Sequence, residues 1–111
     1  MAMTNKDFYN HLQQIVNAIV NGYQPKKIIL FGSAAGGHIH EDSDADLAVI
    51  KNTDRNFYDR IGDVSGFIPH GIPVDVLVYT PDEFEKMRTD KYGYFVRDEI
   101  LGKGKILYES T

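Results

Sequence analysis

Apolar positions recur along this chain in two rhythms, one helical and one strand-like. Phe8, Leu12, Ile15 and Ile19 follow Thr4 and Asp7 at helical spacing, and the run stops at Gly22 with Pro25 just beyond. That pattern predicts a first helix with a capped start and a defined end. "KKIILF", residues 26–31, is a short isoleucine-rich run closed by Gly32, which predicts a buried strand. "DLAVI", residues 46–50, predicts a second. Phe57, Ile61 and Val64 share a helical face, and Thr53 and Asp54 before them suit a cap and first turn. "VDVLVY", residues 74–79, reads as a third strand introduced by Gly71 and Pro73. Thr80-Pro81-Asp82-Glu83 is a capping box with proline at the first helical position, opening a helix that buries Phe84 and Met87. A last helix around Phe95 to Leu101 stops near Gly102, and "KILY", residues 105–108, predicts a final strand.

Strands interleaved with helices predict an α/β (α+β) fold, a small sheet with helices packed against it. The connection from the first strand to the second is too short for a parallel crossover helix, so the sheet is expected to be mixed. With 111 residues and no internal repeat or linker, the expectation is one domain over 1–111.

Composition narrows the function classes. Hydrophobic residues at 42% and charged residues at 25% are ordinary globular values. The formal charge is −4, from 12 Lys and Arg against 16 Asp and Glu, with no basic run, so no direct nucleic-acid binding is expected. The absence of cysteine removes disulfides, thiolate zinc sites and cysteine nucleophiles, and fits a reducing compartment. The first ten residues are polar and no stretch has the length of a membrane span, which points to a cytoplasmic protein without a membrane partner.

The chemistry concentrates in "LFGSAAGGHIHEDSDADLAVI", residues 30–50, and in the third strand. Asp44 and Asp46 stand two residues apart where the chain enters a strand, so their side chains share a face. Within "VDVLVY", Val74, Val76 and Val78 face one way, and Asp75, Leu77 and Tyr79 the other. Aspartate is depleted in strands and seldom buried unpaired, which makes Asp75 the least expected residue of the chain. If the second and third strands are neighbours, Asp46 and Asp75 lie side by side with Asp44 a step above. Two carboxylates about 4 Å apart repel by roughly 4 kcal/mol at an effective dielectric near 20. Three together call for protonation, cationic partners or a metal, and hard oxygen ligands in threes suit Mg²⁺ with substrate phosphates completing its shell. Gly32 permits a close backbone approach, and Ser33 can open a helical turn whose N–H groups and hydroxyl accept phosphate oxygens. A phosphate cradle facing a carboxylate site is equipment for phosphoryl or nucleotidyl transfer. Glu41 and Asp42 read as loop solubilisers. His38 and His40 lie near carboxylates but lack a third nitrogen or sulfur ligand, and His11 and His70 are equally unpartnered in sequence. The Tyr92, Tyr94 and Phe95 cluster reads as helix packing or a partner interface, and Lys103 and Lys105 as a solvated helix end.

Gly32-Ser33, ten intervening residues, then Asp44-Ala45-Asp46 resembles the signature of the DNA polymerase beta-like nucleotidyltransferases, and most nearly the minimal nucleotidyltransferase (MNT) family. The likeness extends to "KKIILFGS", to the aspartate in "PVDVLVY" and to the ending "ILGKGKILYE". It implies transfer of AMP from ATP to a hydroxyl. Gly32 and Ser33 would hold the triphosphate, Asp44 and Asp46 would ligate two Mg²⁺ ions, and Asp75 would bind the catalytic metal and help deprotonate the acceptor. Many such proteins are antitoxins that pair with a helical HEPN ribonuclease toxin and adenylylate one of its tyrosines, so a protein acceptor and a toxin partner are implied. One departure stands out. The family commonly carries arginines after Gly-Ser, where this chain has Ala34 and Gly36 within "GSAAGG". Arginine would be a bidentate phosphate partner, and its absence leaves backbone N–H groups, Mg²⁺ and Lys51 at the end of the second strand. The alternative is therefore an antitoxin of weak or no activity that neutralises its partner by binding alone. A small-molecule transferase needs a further substrate wall, which homo-oligomerisation would have to supply.

Overall fold

The computed structural model describes residues 4–39 and 43–110; His40, Glu41 and Asp42 lie outside them. Thr4 caps α1 (Asn5–Tyr23) by accepting from the Asp7 N–H. The helix runs one residue past the predicted stop at Gly22, and Gln24 takes the left-handed position, its N–H bonding the Val20 carbonyl. Gly22 serves a different purpose, since a Cβ there would meet the Phe67 ring at 2.3 Å. β1 (Lys27–Phe31) follows, then a single 3₁₀ turn over Ser33–Gly36, and β2 (Ala45–Ile50). The cap of α2 (Phe57–Ser65) is Asn56, which accepts from the Asp59 N–H, rather than Thr53 or Asp54. The Thr53 hydroxyl instead accepts from the Arg55 N–H, turning the chain before the helix. β3 (Val74–Tyr79) leads into α3 (Pro81–Thr89), whose capping box between Thr80 and Glu83 is fully formed. The last helical segment, α4 (Phe95–Gly102), is wound as a π-helix, with the Lys103 N–H reaching back to the Asp98 carbonyl, and β4 (Lys105–Glu109) follows.

The sheet order is β3-β2-β1-β4, with β1 antiparallel to β2 and β4, and β2 parallel to β3. The sheet is mixed, as the short link between β1 and β2 demands, while α2 supplies the crossover between the parallel pair. One face packs against α1 and α2 through Phe8, Leu12, Ile15 and Ile19 over Leu30, Leu47, Val49, Val76 and Val78. The other carries Ile29, Ala48, Ile50 and Tyr79 beneath Phe84 of α3 and Val96 and Ile100 of α4. Among the described residues, no helix is long and apolar enough to cross a membrane.

Candidate active site

Strand register assembles the acidic residues. Phe31 pairs with Asp46 across the antiparallel ladder, and Asp46 with Asp75 across the parallel one. Period-two alternation puts Asp46 and Asp75 on the face that α3 and α4 cover further along, and Asp44 sits just before β2. Ligand atoms of Asp44, Asp46 and Asp75 all lie within 4.8 Å of one another, the one group of three or more potential metal-binding side chains among the described residues. Burial, and then the charges of Asp44 and Asp75, push the Asp46 carboxyl above the usual aspartate range. The strain of this arrangement is electrostatic, and a divalent cation bound there would relieve it. The donors are hard oxygens, closely spaced and partly open to solvent, so the residues present fit Mg²⁺.

Gly32 forms the wall beside Asp46. Its φ is +76°, a conformation that favours glycine, and a Cβ on it would stand 2.3 Å from Asp46 Oδ2, so any side chain there would displace the Asp46 carboxylate. Ser33 is exposed at the start of the 3₁₀ turn. Ala34 and Ala35 turn into the core, and the Ala34 carbonyl accepts a 2.9 Å bond from the Tyr9 hydroxyl on α1. Position 34 is thus committed to packing, and the turn is anchored to the first helix. Sequence reading missed Tyr9, which no spacing or motif marks.

Lys51 does not reach this site. It follows the far end of β2, where Nζ donates to the Tyr23 carbonyl at 2.7 Å and lies over the Tyr23 ring. It closes the C-terminus of α1, a position where a cation also suits the helix dipole. The histidines are not gathered either: His38 is exposed beside Gly36, His11 lies against Gly71, and His70 is exposed. Tyr92 and Tyr94 are largely exposed. Phe95, by contrast, stands edge-on to Phe31, ring centroids 5.7 Å apart, and with Leu77 the two rings border a cavity of about 510 Å³ that also contains Asp46 and Asp75. The carboxylates therefore have an apolar flank. The sequence signal for it is the placement of Phe31 directly before Gly32.

Comparison with known proteins agrees with this geometry. The sequence pattern of the family "Polymerase beta, Nucleotidyltransferase" matches residues 13–111. MJ0604 of Methanocaldococcus jannaschii, named as a candidate protein adenylyltransferase, is 30% identical over 101 residues, covering 87% of this chain and 94% of that one. The protein adenylyltransferase MntA of Aphanizomenon flos-aquae is 28% identical over 85 residues, 76% of this chain and 57% of the relative. A chain from the crystal structure of a toxin–antitoxin with AMP-PNP has a TM-score of 0.57 at 20% identity, over 92% of this chain and 75% of that one, and shows the same fold.

Proposed function

Since this chain belongs to the polymerase beta nucleotidyltransferase family, we propose that it transfers AMP from ATP to a protein hydroxyl, as a single minimal domain over 1–111 acting as the antitoxin of a toxin–antitoxin pair. The observation that carries the reading is the convergence of Asp44, Asp46 and Asp75 beside the Gly32-Ser33 turn. The names of MJ0604 and MntA support protein as the acceptor, and the toxin–antitoxin neighbour supports a toxin as partner. In this reading the partner is a HEPN-type toxin, the acceptor one of its tyrosines, and the setting the cytoplasm.

Asp44 and Asp46 would hold two Mg²⁺ ions, with Asp75 on the catalytic one. Bound there, the ions supply charge neutralisation for the triphosphate and acidify the acceptor hydroxyl. Gly32 leaves room for a phosphate against the backbone, and Ser33 presents its hydroxyl and N–H to it. Asp75, the most exposed of the three, takes the acceptor proton and releases it to water. The hydroxyl oxygen bonds to the α-phosphorus, the bridge to the β-phosphate breaks, and pyrophosphate leaves. Phe31 and Phe95 exclude water from one side.

Ala34 and Gly36 in place of the family's arginines favour a second reading, an antitoxin that acts by binding alone. Calorimetry with ATP separates the two. The enzyme binds ATP in Mg²⁺ and loses at least about tenfold affinity, 1.4 kcal/mol, in Asp46→Asn. Binding that is absent in the wild type, or indifferent to both Mg²⁺ and Asp46→Asn, would overturn the assignment of the nucleotide site.

A further inference from the structure

β3 is the last strand of the sheet, so one side of it has no strand partner among the described residues. Its backbone orientation can be read directly. The Pro73 carbonyl accepts from the Ala45 N–H at 3.0 Å and the Tyr79 carbonyl from the Lys51 N–H at 2.9 Å. Alternate residues of a strand turn their backbone groups to the same neighbour. Asp75, Leu77 and Tyr79 therefore bond to β2, while Val74, Val76 and Val78 turn their N–H and C=O groups the other way. Arg60 of α2 already occupies the Val78 carbonyl and Val78 is fully buried, so the stretch left for a further strand is at Val74 and Val76.

The two edges of the sheet differ. β4 carries Lys105 and Glu109, and its pairing with β1 is broken by a register shift at Ile28 and Ile29. Charges and bulges of this kind blunt an edge against further pairing. β3 runs through six residues in unbroken register, without lysine or proline. Its one charge is Asp75, a member of the carboxylate group. The cavity at the site is lined by Val74 and Val76 from one face of β3 and by Asp75 and Leu77 from the other, so it follows the edge itself, with Phe95 alongside.

We propose that this edge is the docking strand for the acceptor: an extended polypeptide segment adds to β3 as a further strand and delivers a hydroxyl side chain to Asp75. The proposal rests on the reading of this site as a protein nucleotidyltransferase. Directly opposed residues of such a pair have Cβ atoms about 4.5–5.5 Å apart on the same face. The side chain opposite Asp75 thus shares the face of the carboxylates. Main-chain bonds to Val74 and Val76 supply affinity largely independent of sequence. Charge then selects, since three carboxylates disfavour Asp or Glu beside the acceptor and favour Lys or Arg. Leu77 and Phe95 receive an apolar or aromatic neighbour.

Amide exchange of the full chain, followed by NMR, tests this with a defined probe. The probe is a short synthetic peptide of alternating valine and threonine with a central tyrosine and lysine at both ends. Its control is the same peptide N-methylated at alternate backbone nitrogens. Without ATP, the plain peptide should slow exchange of the Val74 and Val76 amides about tenfold, and the methylated one should not. No change at these amides, or equal protection by both peptides, overturns the docking strand. Protection that rises with the chain's own concentration and is indifferent to peptide assigns the edge to a second copy, and also overturns it. Protection by the plain peptide alone, without transfer of labelled AMP when ATP and Mg²⁺ are added, supports the docking strand and counts against the transfer reading instead.

Discussion

A single backbone position borders the acidic cluster closely enough to set where one of its carboxylates stands. Gly32 holds φ at +76° with Asp46 Oδ2 only 2.3 Å from where a Cβ would stand. Gly32→Ala therefore meets two costs, backbone strain of about 1–3 kcal/mol in a conformation that essentially only glycine adopts and the displacement of the Asp46 carboxylate. The expected result is a loss of stability of at least about 1 kcal/mol in urea denaturation, together with lost transfer activity. Wild-type activity in this variant would show that Asp46 need not stay where Gly32 places it. At this scale the sequence carried the cluster well, because strand periodicity and a Gly-Ser turn leave few ways to arrange Asp44, Asp46 and Asp75. It did not carry Tyr9 or Lys51. Their partners are backbone carbonyls of residues distant in the chain, the Ala34 and Tyr23 carbonyls, and no residue pattern encodes such a bond.

Among the elements, α2 and α3 are joined by a pair that hydropathy hides. Arg60 is 6% exposed, although Phe57 and Ile61 on the predicted apolar face are only partly buried. Its guanidinium donates to both Glu83 oxygens, at 2.7 and 3.2 Å, and to the Arg55 and Val78 carbonyls. Glu83 is also the reciprocal member of the α3 capping box, accepting from the Thr80 N–H at 2.9 Å. The bond from Arg60, assisted by the one from Thr80, holds the Glu83 carboxyl below the usual glutamate range. A depressed carboxylate stabilises the fold fully above its unfolded pKa, about 4.3, and that contribution is lost as pH falls through the lower folded value. Glu83→Gln should cost about 1–2 kcal/mol at neutral pH, less than for a fully buried pair because the glutamate side chain is 44% exposed. The cost should shrink in acid, and a difference from wild type that is constant between pH 7 and pH 3 would contradict this role. The capping box and the run of elements were legible because each is a local pattern. The Asn56 cap is equally local, its partner being the Asp59 N–H three residues on, so it was as legible as Thr53 and Asp54. The π-winding of α4 has no such local mark.

Across the whole molecule, the antiparallel turn from β1 to β2 and the parallel crossover through α2 to β3 bring the ends of three strands to one place. The mixed topology followed from the length of a single connection, so it too could be read from the chain. The strand order, which leaves β3 at the edge with the most exposed aspartate upon it, could not, because nothing local says which side of the sheet closes. The fold leaves the carboxylates at the open end of a face that α3 and α4 cover elsewhere, as a site for a large acceptor requires. The direct test is incubation with α-labelled ATP and Mg²⁺, with and without a co-expressed candidate toxin, scored for label on protein. The account predicts label on the toxin in the wild type and none in Asp75→Asn or on omission of Mg²⁺. A stable complex that silences the toxin equally in wild type and Asp75→Asn, with no label in either, would contradict it and leave a binding antitoxin.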